Sequence, residues 1–180
     1  MGGRPEGDGD DPHGGWHWRP RARIVGCAFD VALFFGDQAT GQTVVGIETK
    51  YHEHAKTEKQ PDEISRMPRY RELTERAIRE RRVFTADWEN RILGTSLQQI
   101  WRDHLLLLSM LQHPSEQFTA GKYVLVYPSG NNSFRDLALE YESVLDDPST
   151  FGHLTVEALL DAHVLHTPQT EALFRERYLW

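Results

Sequence analysis

Ile24-Val25-Gly26-Cys27-Ala28-Phe29-Asp30-Val31-Ala32-Leu33-Phe34-Phe35, a Gly-bounded stretch from Gly36 to Gln42, and then Thr43-Val44-Val45-Gly46-Ile47-Glu48-Thr49-Lys50-Tyr51 decide the fold. Two runs rich in Val, Ile, Phe and Thr joined by a Gly-containing turn read as a β-hairpin over residues 24 to 51. Side chains alternate across a strand, so residues two apart share a face. Ala28, Asp30 and Ala32 therefore share one face of the first strand, opposite Phe29, Val31, Leu33 and Phe35. In the second strand Val44, Gly46, Glu48 and Lys50 share a face, opposite Val45, Ile47, Thr49 and Tyr51. The bulky face predicts core, with Phe29, Val31, Leu33 and Ile47 buried. The other face carries Asp30, Glu48 and Lys50 over the small residues Ala28, Ala32 and Gly46, which predicts room for a ligand above the charges. The competing reading is a solvated face with ordinary surface charges.

The chemistry of the first reading is coherent. Two carboxylates on adjacent strands can share a hard divalent cation such as Mg²⁺ or Mn²⁺. Mg²⁺ takes one or two carboxylates and keeps waters that phosphate oxygens can replace. Such an ion polarises a phosphoryl group and lowers the pKa of a bound water. Lys50, on the same face, is placed to orient that water or to meet charge developing in the transition state.

Beyond the hairpin, residues 52 to 67 are polar and bounded by Pro61 and Pro68, which predicts a loop. Arg69 to Arg82 shows a charged helical pattern, and Ser96 to Gln112 a stronger one, with Thr95 or Ser96 as cap. Lys122 to Tyr127 reads as a buried strand containing Val124, and Leu105 and Leu108 of the strong helix as core. Phe134 to Leu145 reads as helix, Thr150 to Leu154 as a short strand, and Val156 to Val164 and Glu171 to Leu179 as helices. No internal repeat is present. The order predicts one α/β or α+β domain over residues 23–180 with a mixed sheet flanked by helices. Residues 1–22, dominated by Gly, Pro, Asp, His and Arg, predict a disordered tail with Trp16 and Trp18 against the surface. His13 and His17 read as part of that tail rather than as metal ligands.

Phe29-Asp30 followed by Ile47-Glu48-Thr49-Lys50-Tyr51-His52-Glu53 resembles the PD-(D/E)XK nuclease superfamily, and more narrowly a bacterial group within it. The resemblance is clear over residues 24 to 128. It implies a restriction-endonuclease-like fold, a metal held by Asp30 and Glu48, Lys50 as a catalytic residue, and phosphodiester hydrolysis in nucleic acid, DNA in the first place. Phe29 stands where the motif name has Pro. Members often place a Gln on the helix after the Glu-x-Lys strand. Here the resemblance favours Gln99, whereas the apolar stripe of Leu97, Trp101, His104, Leu105 and Leu108 favours Gln98, and both are kept. The superfamily core begins with a helix before the first strand. No helical pattern precedes Ile24, so that helix is expected to be missing.

The remaining signals are weaker. Arg102 reads as a phosphate contact or as a salt-bridge partner, and His104 as a hydrogen-bonded core histidine. His52, Glu53 and His54 read as a polar loop mouth beside the site. The arginines from Arg66 to Arg82 form the one basic concentration, yet Glu72, Glu75 and Glu80 interleave with them, which favours a salt-bridged helix over a DNA contact. A net charge of −7 excludes nucleic-acid binding by bulk charge, so any basic surface must be local. The single cysteine, Cys27, excludes an intramolecular disulfide and a multi-cysteine zinc site. No secretory leader or membrane span is legible, which fits a cytoplasmic protein. Two functions stay open: a Mg²⁺-dependent nuclease, and a non-catalytic remnant of the nuclease fold acting as a binding or structural module.

Overall fold

The computed structural model describes residues 29–37, 41–51, 53–57, 66–163 and 167–179. The expected tail, the strand start at Ile24, the question of a first helix, Cys27 and His52 lie outside the described residues. The elements run β1 (Val31–Asp37), β2 (Gly41–Thr49), α1 (Met67–Arg81), α2 (Trp88–Ile92), α3 (Leu97–Leu111), β3 (Phe118–Tyr127), α4 (Asn132–Glu142), a short 3₁₀ turn (Pro148–Thr150), β4 (Phe151–Thr155), α5 (Val156–Asp161) and α6 (Pro168–Tyr178). The strands form one mixed sheet in the order β1-β2-β3-β4. β1 and β2 are the antiparallel hairpin, while β3 and β4 join β2 in parallel, reached through α1–α3 and α4. The architecture is thus the α/β mixed sheet with flanking helices that the sequence predicts.

Helix α3 organises the core. It packs on β2 and β3 and is flanked by α1, α2 and α4. Its residues from His104 to Leu108 are all buried, so the helix is enclosed on nearly every side in its second half. Two of the polar groups brought inside are linked in a chain. Trp101 Nε1 donates to Thr74 Oγ1 at 3.1 Å, and that hydroxyl donates on to Tyr70 O at 2.8 Å. Ser96 occupies the helix N-cap position without a side-chain bond, and it is the Thr95 hydroxyl that accepts from Leu97 N–H at 3.1 Å. On α1 the arginines pair along the surface, Arg69 with Glu72 at 2.7 Å and Arg76 with Glu80 at 2.8 Å, as the salt-bridged reading predicts.

The facing of the hairpin is the reverse of the expectation. The sheet face under α3 carries Val44, Gly46, Glu48 and Lys50, and Val44, Gly46 and Lys50 are buried. Val31, Leu33 and Phe35 are 44%, 38% and 42% exposed. Ile47, Val124 and Phe29 are only partly buried, whereas Leu105 and Leu108 are buried as predicted. Alternation tells that the two faces differ, not which one a helix covers. Nor is the space over Gly46 left for a ligand: the Phe29 ring fills it, and a Cβ on residue 46 would overlap that ring. Phe29 then stacks on Tyr123, with ring centroids 6.1 Å apart.

His104 is the core histidine the sequence predicts. Its ring lies between the Tyr141 hydroxyl at 3.0 Å and the Thr150 hydroxyl at 2.9 Å. Burial pushes its pKa down to about 3. The unfolded chain protonates this histidine as pH falls through its ordinary range, but the folded chain does not until about pH 3. Its stabilising contribution is therefore complete above about pH 6.5 and declines below it, by up to about 1.4 kcal/mol per pH unit. Urea unfolding across pH 7 to 4 is expected to lose that part of the slope in His104→Gln. The facing predicts a second contrast: Leu107→Ala costs about 2–5 kcal/mol as a buried truncation, and Leu33→Ala less than about 1 kcal/mol.

Candidate active site

Register assembles the site at one end of the hairpin. Val31 pairs with Ile47, so Asp30, one residue back, stands beside Glu48. The Asp30 backbone N–H hydrogen-bonds toward the Glu48 carboxylate. Asp30 Oδ2 accepts from the Thr49 backbone N–H at 2.8 Å and from its hydroxyl at 2.6 Å, which ties the approach to β1 to the end of β2. The next residue is anchored from the other side. Lys50 N–H donates to Val126 O at 2.8 Å, and the Asn131 amide at the start of α4 reaches the carbonyls of Lys50 at 3.3 Å and Glu53 at 3.1 Å.

With its backbone fixed, Lys50 turns its side chain under α3. Its Nζ donates to Glu48 Oε1 at 2.7 Å, and the two side chains are only 8% and 14% exposed. Burial alone would push the ammonium down. The hydrogen bond and charge of Glu48, joined by Asp103 and Glu53, more than offset this and hold Lys50 above its usual value, so it is charged at neutral pH. The Glu48 carboxyl is pushed up by burial and by the charge of Asp30, against the opposing pull of Lys50.

Helix α3 supplies a residue the sequence reading passed over. Asp103 is half-buried on the helix, and its pKa is pushed up to about 7, first by burial and then by the charge of Glu48, with Lys50 and Arg102 opposing. The available signal was spacing. Gln99 and Asp103 are one turn apart, so a candidate glutamine and an acid share one stripe of the helix. Gln98, by contrast, is fully buried and its Oε1 accepts from Gly94 N–H at 2.8 Å, holding the turn between α2 and α3. Gln99 is half-buried. Beneath the acids lies Tyr123, wholly buried, whose hydroxyl has no hydrogen-bond partner among the described residues. Burial, then the charges of Asp103 and Glu48, hold its phenol protonated well above the ordinary range.

Among the described residues no three His, Cys, Asp or Glu side chains converge as a ready-made metal site. Asp30 and Glu48 fit a hard divalent cation by donor chemistry. Each carboxylate has about four lone-pair sites, and Thr49, Lys50 and the Asp30 N–H use only some of them. The buried Tyr123 hydroxyl is a further polar group left over for water or ligand. An open cavity of about 700 Å³ begins where β2 ends, lined by Tyr51, His54, Ser129, Asn131 and Glu157. It adjoins the charged cluster without containing it.

A family model described as the PD-(D/E)XK nuclease superfamily matches residues 17–180. No curated protein and no solved structure matches the chain.

The enclosed Lys50–Glu48 pair has a measurable consequence. Removing one partner strands the other inside, so Glu48→Ala is expected to destabilise by on the order of 2–4 kcal/mol. The double variant Glu48→Ala with Lys50→Ala is expected to cost less than that single change, because no charge is left unpaired. Urea unfolding of the four proteins of the cycle checks this.

Proposed function

The chain belongs to the PD-(D/E)XK nuclease superfamily, and from that premise we propose that it is a Mg²⁺- or Mn²⁺-dependent nuclease hydrolysing phosphodiester bonds, with DNA as the substrate. The observation that carries this reading is a charged lysine enclosed against the Glu48 carboxylate at the end of β2, where the strand register brings Asp30 alongside Glu48. A fold kept only as scaffold has no need of an ammonium held there, because an apolar side chain of similar size is as stable or more so. Asp30 and Glu48 are the residues that would hold the ion. When bound, the ion supplies Lewis-acid polarisation of the phosphoryl group and a more acidic water.

The chain's own residues supply the rest. Thr49 fixes the Asp30 carboxylate through two hydrogen bonds, so its rotamer is set before any ligand arrives. Lys50 brings a proton-bearing cation to the reacting phosphate, where it orients the attacking water and meets the charge that develops on the non-bridging oxygens. Gln99 and Arg102 stand on the helix that overlies the site, as candidates for contact with water and phosphate. The salt-bridged arginines of α1 are not needed for this reading. No helix among the described residues is long and apolar enough to cross a membrane, and the proposal places the enzyme in the bacterial cytoplasm.

Calorimetric titration with Mn²⁺ and a cleavage assay on linear DNA test the proposal together. Lys50→Ala is expected to keep ion binding, or tighten it slightly, because a nearby positive charge repels a cation. The same variant loses cleavage. Asp30→Asn loses both. If the wild-type chain neither binds the ion nor cuts nucleic acid, the alternative of a non-catalytic binding or structural module takes its place.

A further inference from the structure

Strands β2, β3 and β4 run parallel, so their carboxyl ends meet on one rim of the sheet, the rim where open parallel sheets bind ligands. The cavity of about 700 Å³ lies on that rim. Its walls come from residues just past each strand: Tyr51 after β2, Pro128 to Ser133 after β3, and Glu157 after β4, with Leu179 from the end of α6. The volume is in the range that encloses a small organic group. The cavity is also tied to the lysine of the proposed active site. Tyr51 follows Lys50 directly, and the Asn131 amide in the cavity wall donates to the carbonyls of Lys50 at 3.3 Å, Tyr51 at 3.4 Å and Glu53 at 3.1 Å.

The lining decides which class of group the cavity takes. A phosphate calls for cations or free N–H donors. Among the described residues that line the cavity there is no lysine or arginine. At the first turn of α4, the Asn131 side chain takes up the Phe134 N–H at 3.4 Å. A carboxylate stands in the wall instead. Ser129 clamps Glu157 twice: its backbone N–H donates to Oε2 and its hydroxyl to Oε1, both at 2.8 Å. Burial alone would raise this carboxyl. Hydrogen bonds from its own backbone and from Ser129 outweigh that and hold it below its usual value, so it is ionised at neutral pH. A fixed anion with lone pairs to spare repels phosphate and accepts from N–H donors. In the same lining, Tyr51, Pro128 and Leu179 offer apolar surface. An acceptor among apolar walls suits a flat group with N–H donors on its edge, and in a nucleic acid that group is a base.

We propose that this cavity receives one unpaired base of the substrate strand, next to the phosphate that Lys50 serves, and that the enzyme acts on single-stranded DNA. The inference rests on the nuclease reading above and narrows its substrate. A paired base turns its Watson–Crick edge to its partner and stacks on its neighbours, whereas an unpaired base enters a pocket at little cost. Glu157 accepts from the edge of the base, and the apolar walls cover its faces. Gly130 offers a way to fill the cavity: a Cβ there would meet nothing within 4 Å, so a large side chain has room and takes it from the space that residue 130 lines.

Cleavage kinetics of the full chain with Mg²⁺ test this on DNAs of one sequence: a single strand, the matched duplex, and single strands in which one base-less nucleotide is walked along the chain. The single strand is expected to be cut with kcat/KM at least about tenfold above the duplex. A base-less nucleotide beside the cut is expected to lower kcat/KM about tenfold, the worth of one stacked base, and one several steps away less than about twofold. Gly130→Phe is expected to cut the intact strand about tenfold less well and to lose the distinction between intact and base-less strands. Glu157→Gln, which keeps the size and removes the charge, is expected to shrink that distinction about threefold, and it decides the matter if urea unfolding shows Gly130→Phe to be misfolded. Equal cutting of single strand and duplex overturns the inference. So does a base-less walk with no position of loss. Equal weakening of intact and base-less strands in Gly130→Phe overturns it as well, because the cavity then holds backbone rather than a base. Each of these results leaves the nuclease reading standing, since DNA is still cut. A wild type that cuts none of the DNAs removes that reading and this inference with it.

Discussion

The enclosed ion pair between Lys50 and Glu48 is the constraint on which the rest of the site depends. An ammonium and a carboxylate are costly to bring out of water, and their mutual attraction repays that cost only with tight geometry. The fold supplies the geometry by fixing both ends of a short segment. Thr49 binds Asp30 on one side, Val126 holds the Lys50 backbone in the parallel ladder, and Asn131 caps the strand end from the start of α4. Groups from before β1, from β3 and from the start of α4 converge on consecutive residues at the end of β2. The helix above completes the enclosure and adds Asp103. The ion pair is thus less a source of stability than a reason for the surrounding order.

Much of this was legible beforehand. The hairpin, the four strands and the two long helices follow from periodicity and punctuation, because long regular patterns override local ambiguity. Alternation put Asp30, Glu48 and Lys50 on a common face; the structure joins Glu48 and Lys50 there, while the Asp30 carboxylate is held by Thr49. The polarity of that face was not legible. A strand with valine, isoleucine and phenylalanine on one side and glycine, alanine and charges on the other looks half-solvated. In this chain the small residues make way for protein: Phe29 packs into the gap at Gly46, and Leu107 comes within 2.9 Å of where a side chain at Gly121 would begin. Smallness that admits an aromatic ring from the same chain is indistinguishable, in sequence, from smallness that admits a ligand.

Asp103 was hidden for a related reason. It sits between Arg102 and His104, and a carboxylate flanked by two basic residue types on a helix reads as an exposed salt-bridge partner. Only the packing of α3 onto β2 and β3 turns that position toward Glu48 and Lys50. Short helices were equally silent. Trp88 to Ile92 is too brief to show a helical period, although Trp88 and Ile92 are both buried and Trp88 stacks on Trp101 at 5.4 Å. Tertiary context creates these features, and no local pattern announces them.

The charge balance of the site also bears on how an acidic chain can engage a polyanion. The net charge of −7 opposes nucleic acid at long range, and the paired arginines of α1 have spent their charge on neighbouring glutamates. Within the site, Glu48 pairs with Lys50, Asp103 and Glu53 add negative charge around it, and burial with the charge of Glu48 pushes the Asp103 carboxyl up to about 7. The local field is then mildly negative, which favours capture of a divalent cation over capture of phosphate. On the proposed reading, a held ion would turn the balance of these groups positive toward whatever enters from the strand ends. On the proposed reading the order of events is thereby set by electrostatics: the ion first, the phosphate second. A basic patch elsewhere becomes unnecessary, because the ion brings to one point the charge that the protein surface lacks.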